Sequence, residues 1–159
     1  MSEIKIIEQK DTYQGSAKIA IVASRFNSFI VDRLYKGAIK TLNENGIKDE
    51  FITVVKVPGA FEIPVAVRAL LDKKEYSAVI TLGAIIRGET PHFEYIANEC
   101  AHGISQSAMN SGIPVIFGVL TVDNAEQALD RAGDEGSNKG SESAAAALEM
   151  IGVLEQIRS

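Results

Sequence analysis

The residues best suited to chemistry lie in one stretch, residues 81–92, which reads TLGAIIRGETPH. A β-branched and apolar run ends in glycine, a polar turn follows, and Thr90-Pro91 predicts a helix start, with Thr90 as N-cap and Pro91 at the first helical position. Free N–H groups ahead of a helix form an anion site suited to phosphate. His92 lies in the first helical turn, where it can transfer protons near neutral pH. The same pattern also fits an ordinary strand–loop–helix junction with a solvated histidine.

Two other loops carry residues that suit a flat, polar ligand. Phe26 and Asn27 follow the first apolar run, and a phenylalanine in a loop either stacks on a planar ring or is buried. In the loop 58–62, Phe61 is either a ligand contact or the first core residue of a helix. Glu62 lies in a first helical turn, where the dipole stabilises a carboxylate with or without a ligand.

A basic pair follows later in the chain, around a glycine-containing loop. Arg131 offers a planar fork suited to phosphate, and Lys139 offers a compact second charge. Taken singly, each is also a typical solvated surface residue. With Arg25 and Arg87 they form a candidate local positive pocket. Phe117 lies inside a predicted strand, which for a single subunit indicates a core position.

Composition excludes several classes of function. The chain has 159 residues, 46% hydrophobic and 23% charged, with a formal net charge of −5. This predicts one globular domain over residues 1–159 and argues against nucleic acid as a partner. We expect a cytoplasmic protein, because no signal peptide or membrane-length apolar run is evident. Cys100, the lone cysteine, and His102 are interpreted as packing or surface residues, and the sequence gives little support for a metal site.

Strand and helix patterns alternate four times and predict an α/β fold. We expect a flavodoxin-like three-layer αβα sandwich with a four-stranded parallel sheet. Residues 1–16 form an N-terminal arm, with an edge strand over 4–7 and a loose segment over 9–15. Strands are predicted at 18–23, 51–57, 77–83 and 115–121, and helices at 28–46 (capped by Ser28), 60–74, 91–110, 124–131 and 142–157. Ligands bind at the carboxyl ends of such strands, where the three loops above meet.

With these residues in place, the sequence resembles the lumazine synthase family over about residues 17–154. The motifs that carry the resemblance are SRFN at 24–27, PGAFEIP at 58–64, GAIIRGETPH at 83–92, and RAG at 131–133 followed by NKG at 138–140. The resemblance implies condensation of 5-amino-6-ribitylamino-uracil with 3,4-dihydroxy-2-butanone 4-phosphate in riboflavin biosynthesis. The family releases phosphate and water and uses no cofactor or metal.

The resemblance also implies a role for each site residue. Phe26 stacks on the pyrimidinedione, Glu89 and Thr90 hold the phosphate through their turn, and Phe117 closes the pocket from a neighbouring subunit. The implied catalytic residues are His92, Arg131 and Lys139. The implied substrate-binding residues are Phe26, Asn27, Ala60, Phe61, Glu62, Ala84, Ile85, Ile86, Glu89, Thr90, Phe117 and Arg131.

The oligomers that members of the family form imply partners for this chain as well. The resemblance implies a homopentamer, which in some members forms a 60-subunit icosahedral shell of twelve pentamers, and an association with riboflavin synthase. Acidic Asp134 and Glu135 depart from the small or basic loop that the family often has there. Two alternatives stay open: a flavodoxin-like flavin-binding module, which tight flavin mononucleotide binding without turnover would favour, and a non-catalytic shell protein.

Overall fold

A computed structural model gives the fold for residues 3–11, 13, 15–134 and 136–159. Four parallel strands form one sheet in the order β2-β1-β3-β4, with bounds β1 Ile19–Ser24, β2 Ile52–Val57, β3 Ala78–Ile86 and β4 Val115–Val122. These are the first four positions of the flavodoxin-like strand order. Strands β1 and β3 are central and buried on both faces, which explains their unbroken apolar runs.

Helices cover both faces of the sheet. Their bounds are α1 Ser28–Glu44, α2 Ile63–Asp72, α3 His92–Ser111, α4 Ala125–Asp130 and α5 Lys139–Arg158, with short 3-10 helices at Asp49–Phe51 and Ala60–Glu62. One core cluster joins the sheet to α1 and α5, and the other joins it to α2 and α3. Alternate residues of β1 enter opposite clusters, as the period of a strand requires. The predicted three-layer α/β fold is confirmed.

Several predicted bounds need correction. Strand β3 extends to Ile86 because it pairs with β4 as far as Ile86–Val122, so Gly83 lies inside the strand and does not end it. Helix α2 begins only at Ile63, after a 3-10 turn. Helix α5 begins at Lys139, three residues before the predicted start, because the Asn138 side chain accepts the Ser141 N–H and caps it.

Two helix starts also differ from the prediction. The N-cap of α1 is Asn27, in the left-handed conformation, and Ser28 is the first helical residue. Helix α3 begins at His92, with Pro91 at the cap position in place of Thr90. The Pro91 carbonyl accepts the Glu94 N–H at 3.0 Å, so the chain enters α3 through a tight turn.

The N-terminal arm is attached to α5. Its described residues form no strand, so the edge strand expected over 4–7 is not found in this part of the chain. Tyr13 is buried, and its hydroxyl donates to Glu155 Oε1 at 3.0 Å. Thr12 and Gln14, in the segment expected to be loose, lie outside the described residues. No helix in the described part of the chain has the length and apolar character to span a membrane.

Candidate active site

A cavity of about 650 Å³ opens where β1, β2 and β3 end. We call it the strand-end cavity. It is the position at which ligands bind to open parallel sheets. The lining residues are Phe26, Asn27, Gly59, Ala60, Phe61, Glu62, Ala84, Ile85, Ile86, Gly88, Thr90, His92, Phe93, Tyr95 and Ile96. The fold therefore brings three separate sequence motifs together around one space.

Backbone hydrogen bonds hold the first two loops against each other. The Arg25 N–H donates to the Val57 carbonyl at 2.7 Å, and the Phe26 N–H donates to the Pro58 carbonyl at 3.0 Å. The Phe26 and Phe61 side chains are 72% and 55% exposed, respectively. The interpretation of Phe61 as a helix core residue is therefore wrong. Both rings offer apolar faces to a planar ligand.

Asn27 joins the loop after β1 to the end of β3. Its backbone has a φ of 63°, a left-handed conformation that Asn tolerates better than most residues. Its Nδ2 atom donates to the Ala84 carbonyl at 2.8 Å. Asn27 lines the cavity, and its amide nitrogen also fastens the loop that carries Phe26 to strand β3.

Glu62 fixes the turn that carries Phe61. Its Oε2 atom accepts the Gly59 N–H at 3.0 Å, an arrangement in which a side chain caps the turn behind it. The Glu62 side chain is exposed and lines the cavity. The carboxylate thus orients the loop and also faces the space where a ligand hydroxyl or N–H would lie.

The third motif forms the rim of the cavity. Residues 87–92 are exposed, and Gly88, Thr90 and His92 line the cavity, whereas Glu89 does not. The turn is anchored at its start by the Arg87 N–H, which donates to the Val122 carbonyl at 2.8 Å. A glycine-containing turn leading into a 20-residue helix has the geometry of an anion site.

The charge of Arg87 is already paired. Its Nε lies 3.0 Å from Asp123 Oδ1, and its Nη1 lies 3.5 Å from Glu94 Oε1. These carboxylates raise the pKa of Arg87, chiefly through the hydrogen bond to Asp123. The expectation that Arg87 adds its charge to a local positive pocket is therefore wrong.

Phe117, Arg131 and Lys139 lie elsewhere, around a second cavity of about 380 Å³ that Thr121 and Glu142 also line. We call it the β4 depression. Phe117 is 37% exposed on β4, an edge strand, so its interpretation as a core residue of one subunit is wrong. The structure thus separates these three residues from the strand-end cavity of the same chain.

Local hydrogen bonds bring the basic pair together. The Lys139 N–H donates to the Arg131 carbonyl at 2.8 Å, and Arg131 Nη1 donates to the Gln127 carbonyl at 2.9 Å. Asn138 is buried between them and α1, where its Nδ2 reaches the Arg33 carbonyl at 3.2 Å. In the intervening loop Asp134 is exposed, and Glu135 lies outside the described residues.

Cys100 and His102 take no part in either cavity. Cys100 is fully buried in the α2–α3 cluster, and burial raises its pKa to about 11, so the prediction of a packing residue is confirmed. His102 is exposed on α3, as one of its two interpretations proposed. Among the described residues, no group of three or more His, Cys, Asp or Glu side chains could hold a metal ion.

Sequence reasoning missed three cavity residues on α3. Phe93, Tyr95 and Ile96 line the strand-end cavity beside His92. The signal was available, because residues three apart share a helix face, and Tyr95 lies three positions after His92. These residues add a largely apolar wall from α3 to the cavity.

Comparisons with known proteins agree on one family. A family model described as 6,7-dimethyl-8-ribityllumazine synthase matches residues 16–155. Two proteins named 6,7-dimethyl-8-ribityllumazine synthase, from Nitratidesulfovibrio vulgaris strains DP4 and Hildenborough, are each 49% identical to this chain over 157 residues. The matches cover 99% of this chain and 100% of each relative.

Proposed function

This chain belongs to the 6,7-dimethyl-8-ribityllumazine synthase family of riboflavin biosynthesis, and we propose that it catalyses that synthesis in the cytoplasm. Its substrates would be 5-amino-6-ribitylamino-uracil and 3,4-dihydroxy-2-butanone 4-phosphate, and the reaction would need no cofactor or metal. The observation that carries the proposal is the strand-end cavity, where exposed aromatic rings, a glycine-containing turn and a histidine meet.

The uracil ring would lie between the first two loops. Phe26 would stack on it, because an exposed aromatic ring gains most by covering a flat, polarised ring. Ala60 and Phe61, with Ala84 to Ile86 of β3, would form the walls. Glu62 would accept a hydrogen bond from the ribityl chain, since its carboxylate is held at the cavity by the Gly59 N–H.

The phosphate would lie at the turn before α3. Glu89 and Thr90 would bind it through their turn, and the positive end of the helix dipole would favour a dianion there. Arg131 would add a planar fork to the phosphate oxygens, and Lys139 a second positive charge.

His92 would carry protons at the same place. Attack of the uracil's 5-amino group on the ketone requires proton transfer to the carbonyl oxygen, which then leaves as water. Phosphate loss requires removal of a proton from carbon, and closure of the second ring releases another water. An imidazole at the rim, between the turn and the cavity, can serve each step in turn.

The Arg131 and Lys139 that act at one cavity would come from a second subunit. Both residues line the β4 depression, not the strand-end cavity of their own chain. Placing the β4 depression of one copy over the strand-end cavity of the next joins the two sets, and head-to-tail contacts of this kind close into rings. We propose a homopentamer, the building unit of a 60-subunit shell able to associate with riboflavin synthase.

The test is incubation of the purified protein with both substrates, while lumazine absorbance and phosphate release are followed together. We expect one phosphate per lumazine, in the presence or absence of a chelator. Loss of activity with the chelator and recovery with a divalent ion would contradict the cofactor-free reaction. Tight flavin mononucleotide binding without turnover would instead favour a flavin-binding module, and an intact shell with neither property would favour a scaffold.

A further inference from the structure

We propose that Arg87 is a positioning residue that holds the first turn of α3, and with it His92, against the end of β4. This inference rests on the proposed function for its catalytic consequence. Arg87 does not line the strand-end cavity, and its role follows from its contacts with α3 and with the residue after β4.

The guanidinium of Arg87 makes three contacts with two different parts of the chain. It lies 4.5 Å above the Phe93 ring, and its Nη1 lies 3.5 Å from Glu94 Oε1. Phe93 and Glu94 directly follow His92 on α3. The third contact is Asp123 Oδ1, 3.0 Å from Nε and immediately beyond the end of β4. One side chain thus fixes the two residues that follow His92 to the residue that follows β4.

The anchor on the β4 side is itself held in place. The Asp123 N–H donates to Gln127 Oε1 at 2.7 Å, and the Gln127 N–H donates to Asn124 Oδ1 at 2.9 Å. Asn124 is the N-cap of α4, and Gln127 thus holds both the cap residue and the residue before it. A backbone hydrogen bond therefore sets the position of the acceptor that Asp123 offers to Arg87. Ion pairs between two long surface side chains seldom have such support.

The contacts disfavour a role for Arg87 as a phosphate ligand. Two carboxylates within 3.5 Å already balance its charge. The residues of the turn between Arg87 and α3 are all exposed, so the turn gains little rigidity from packing. Since a misplacement of about 1 Å at a reacting group can cost about a hundredfold in rate, a residue that fixes α3's first turn can matter without touching substrate.

The kinetic test compares Arg87→Met with Arg68→Met. Arg68 is a matched control, because its Nε makes an exposed 3.4 Å contact with Asp72 Oδ1 on α2, away from the strand-end cavity. We expect Arg87→Met to lower kcat about ten- to a hundredfold with an unchanged KM for the ribitylamino-uracil, and Arg68→Met to change neither. Arg87→Lys should recover part of the loss, because it keeps the charge without the fork.

Two kinetic results would overturn the inference. A raised KM for the butanone phosphate with unchanged kcat would make Arg87 a phosphate ligand. An equal loss of kcat in Arg68→Met would mean that any lost surface ion pair has the same effect.

A second measurement does not depend on activity. Hydrogen exchange of the backbone amides should become faster over residues 92–99 in Arg87→Met and stay unchanged over α5. Unchanged exchange over 92–99 would overturn the inference even if kcat falls, and so would faster exchange with an unaltered kcat. If the wild-type protein forms no lumazine, the proposed function fails, while the exchange measurement still decides whether Arg87 fixes α3.

Discussion

The contact between Asn27 and Ala84 gives the sharpest test of how the strand-end cavity is assembled. Asn27 combines a left-handed backbone with a 2.8 Å hydrogen bond from Nδ2 to the Ala84 carbonyl, 57 residues away. Two substitutions separate these features. Asn27→Gly removes the hydrogen bond and tolerates the backbone, whereas Asn27→Ala removes the bond and resists the backbone conformation.

The expected losses in the free energy of unfolding follow from each feature. Ala84 is buried, so removal of its donor leaves an acceptor without that partner and costs about 1–3 kcal/mol in both variants. Alanine adds about 1–2 kcal/mol, because its Cβ opposes the left-handed conformation. The order of stability should therefore be wild type, then Asn27→Gly, then Asn27→Ala.

The assay is urea unfolding at matched protein concentration, together with the KM for the ribitylamino-uracil. Asn45 provides a control on the same helix, because its Nδ2 donates to the Thr41 carbonyl at 2.8 Å with an ordinary φ of −98°. Asn45→Ala should lower the free energy of unfolding by no more than Asn45→Gly does, and neither variant should change the KM. The reasoning fails if Asn27→Gly loses no stability, or if the two Asn27 variants lose the same amount.

Four further predictions concern the reaction and the lone thiol. His92→Ala should lower kcat about a hundredfold to ten-thousandfold, with little change in substrate KM, as steady-state kinetics will show. Arg131→Lys should raise the KM for the butanone phosphate alone; an equal rise for both substrates would indicate a structural role. Mixed rings of inactive Phe26→Ala and Arg131→Ala subunits should regain part of the activity if sites are shared, and continued inactivity in proven mixed rings refutes sharing. Because burial raises the pKa of Cys100 to about 11, its thiol should stay protonated at pH 9 and react with a thiol reagent only after unfolding.

The sequence predicted the sheet well because buried parallel strands are continuous apolar runs. It misplaces the end of β3, because a glycine after an apolar run predicts a strand end at Gly83. In the structure, a Cβ on Gly83 would lie 3.0 Å from Ser24 Oγ and 3.4 Å from the Ile63 side chain. The glycine therefore allows β1, α2 and β3 to approach closely, and a local turn rule cannot distinguish this use from a break.

The start of α5 shows the same limit. Its first three residues, KGS, have the composition of a loop, and the sequence predicts the helix only from residue 142. A Cβ on Gly140 would overlap the carbonyl of Leu34, so the glycine lets α5 pack directly on the backbone of α1. Helix–helix contact at this point outweighs the low helix propensity of Gly and Ser.

The site was predictable as a set of loops, but not as a set of contacts. Carboxyl ends of parallel strands meet at one edge, so the Phe26, Phe61 and His92 motifs could be placed together from the chain order alone. The partners of Arg87 could not be placed. Asp123 is 36 residues away, and only the pairing of β3 with β4 brings the two side chains to 3.0 Å.

Charge gives an independent reason to expect a second subunit at each site. No Lys or Arg belongs to the described lining of the strand-end cavity, which includes Glu62, and the chain as a whole has a formal charge of −5. A helix N-terminus contributes only about 0.3–1 kcal/mol toward an exposed anion, which is little for a phosphate dianion in an acidic protein. Arg131 and Lys139 lie together at the edge strand β4, where another copy of the chain can reach them. We therefore expect the cations that the proposed phosphorylated substrate needs to come from the β4 depression of a neighbouring copy.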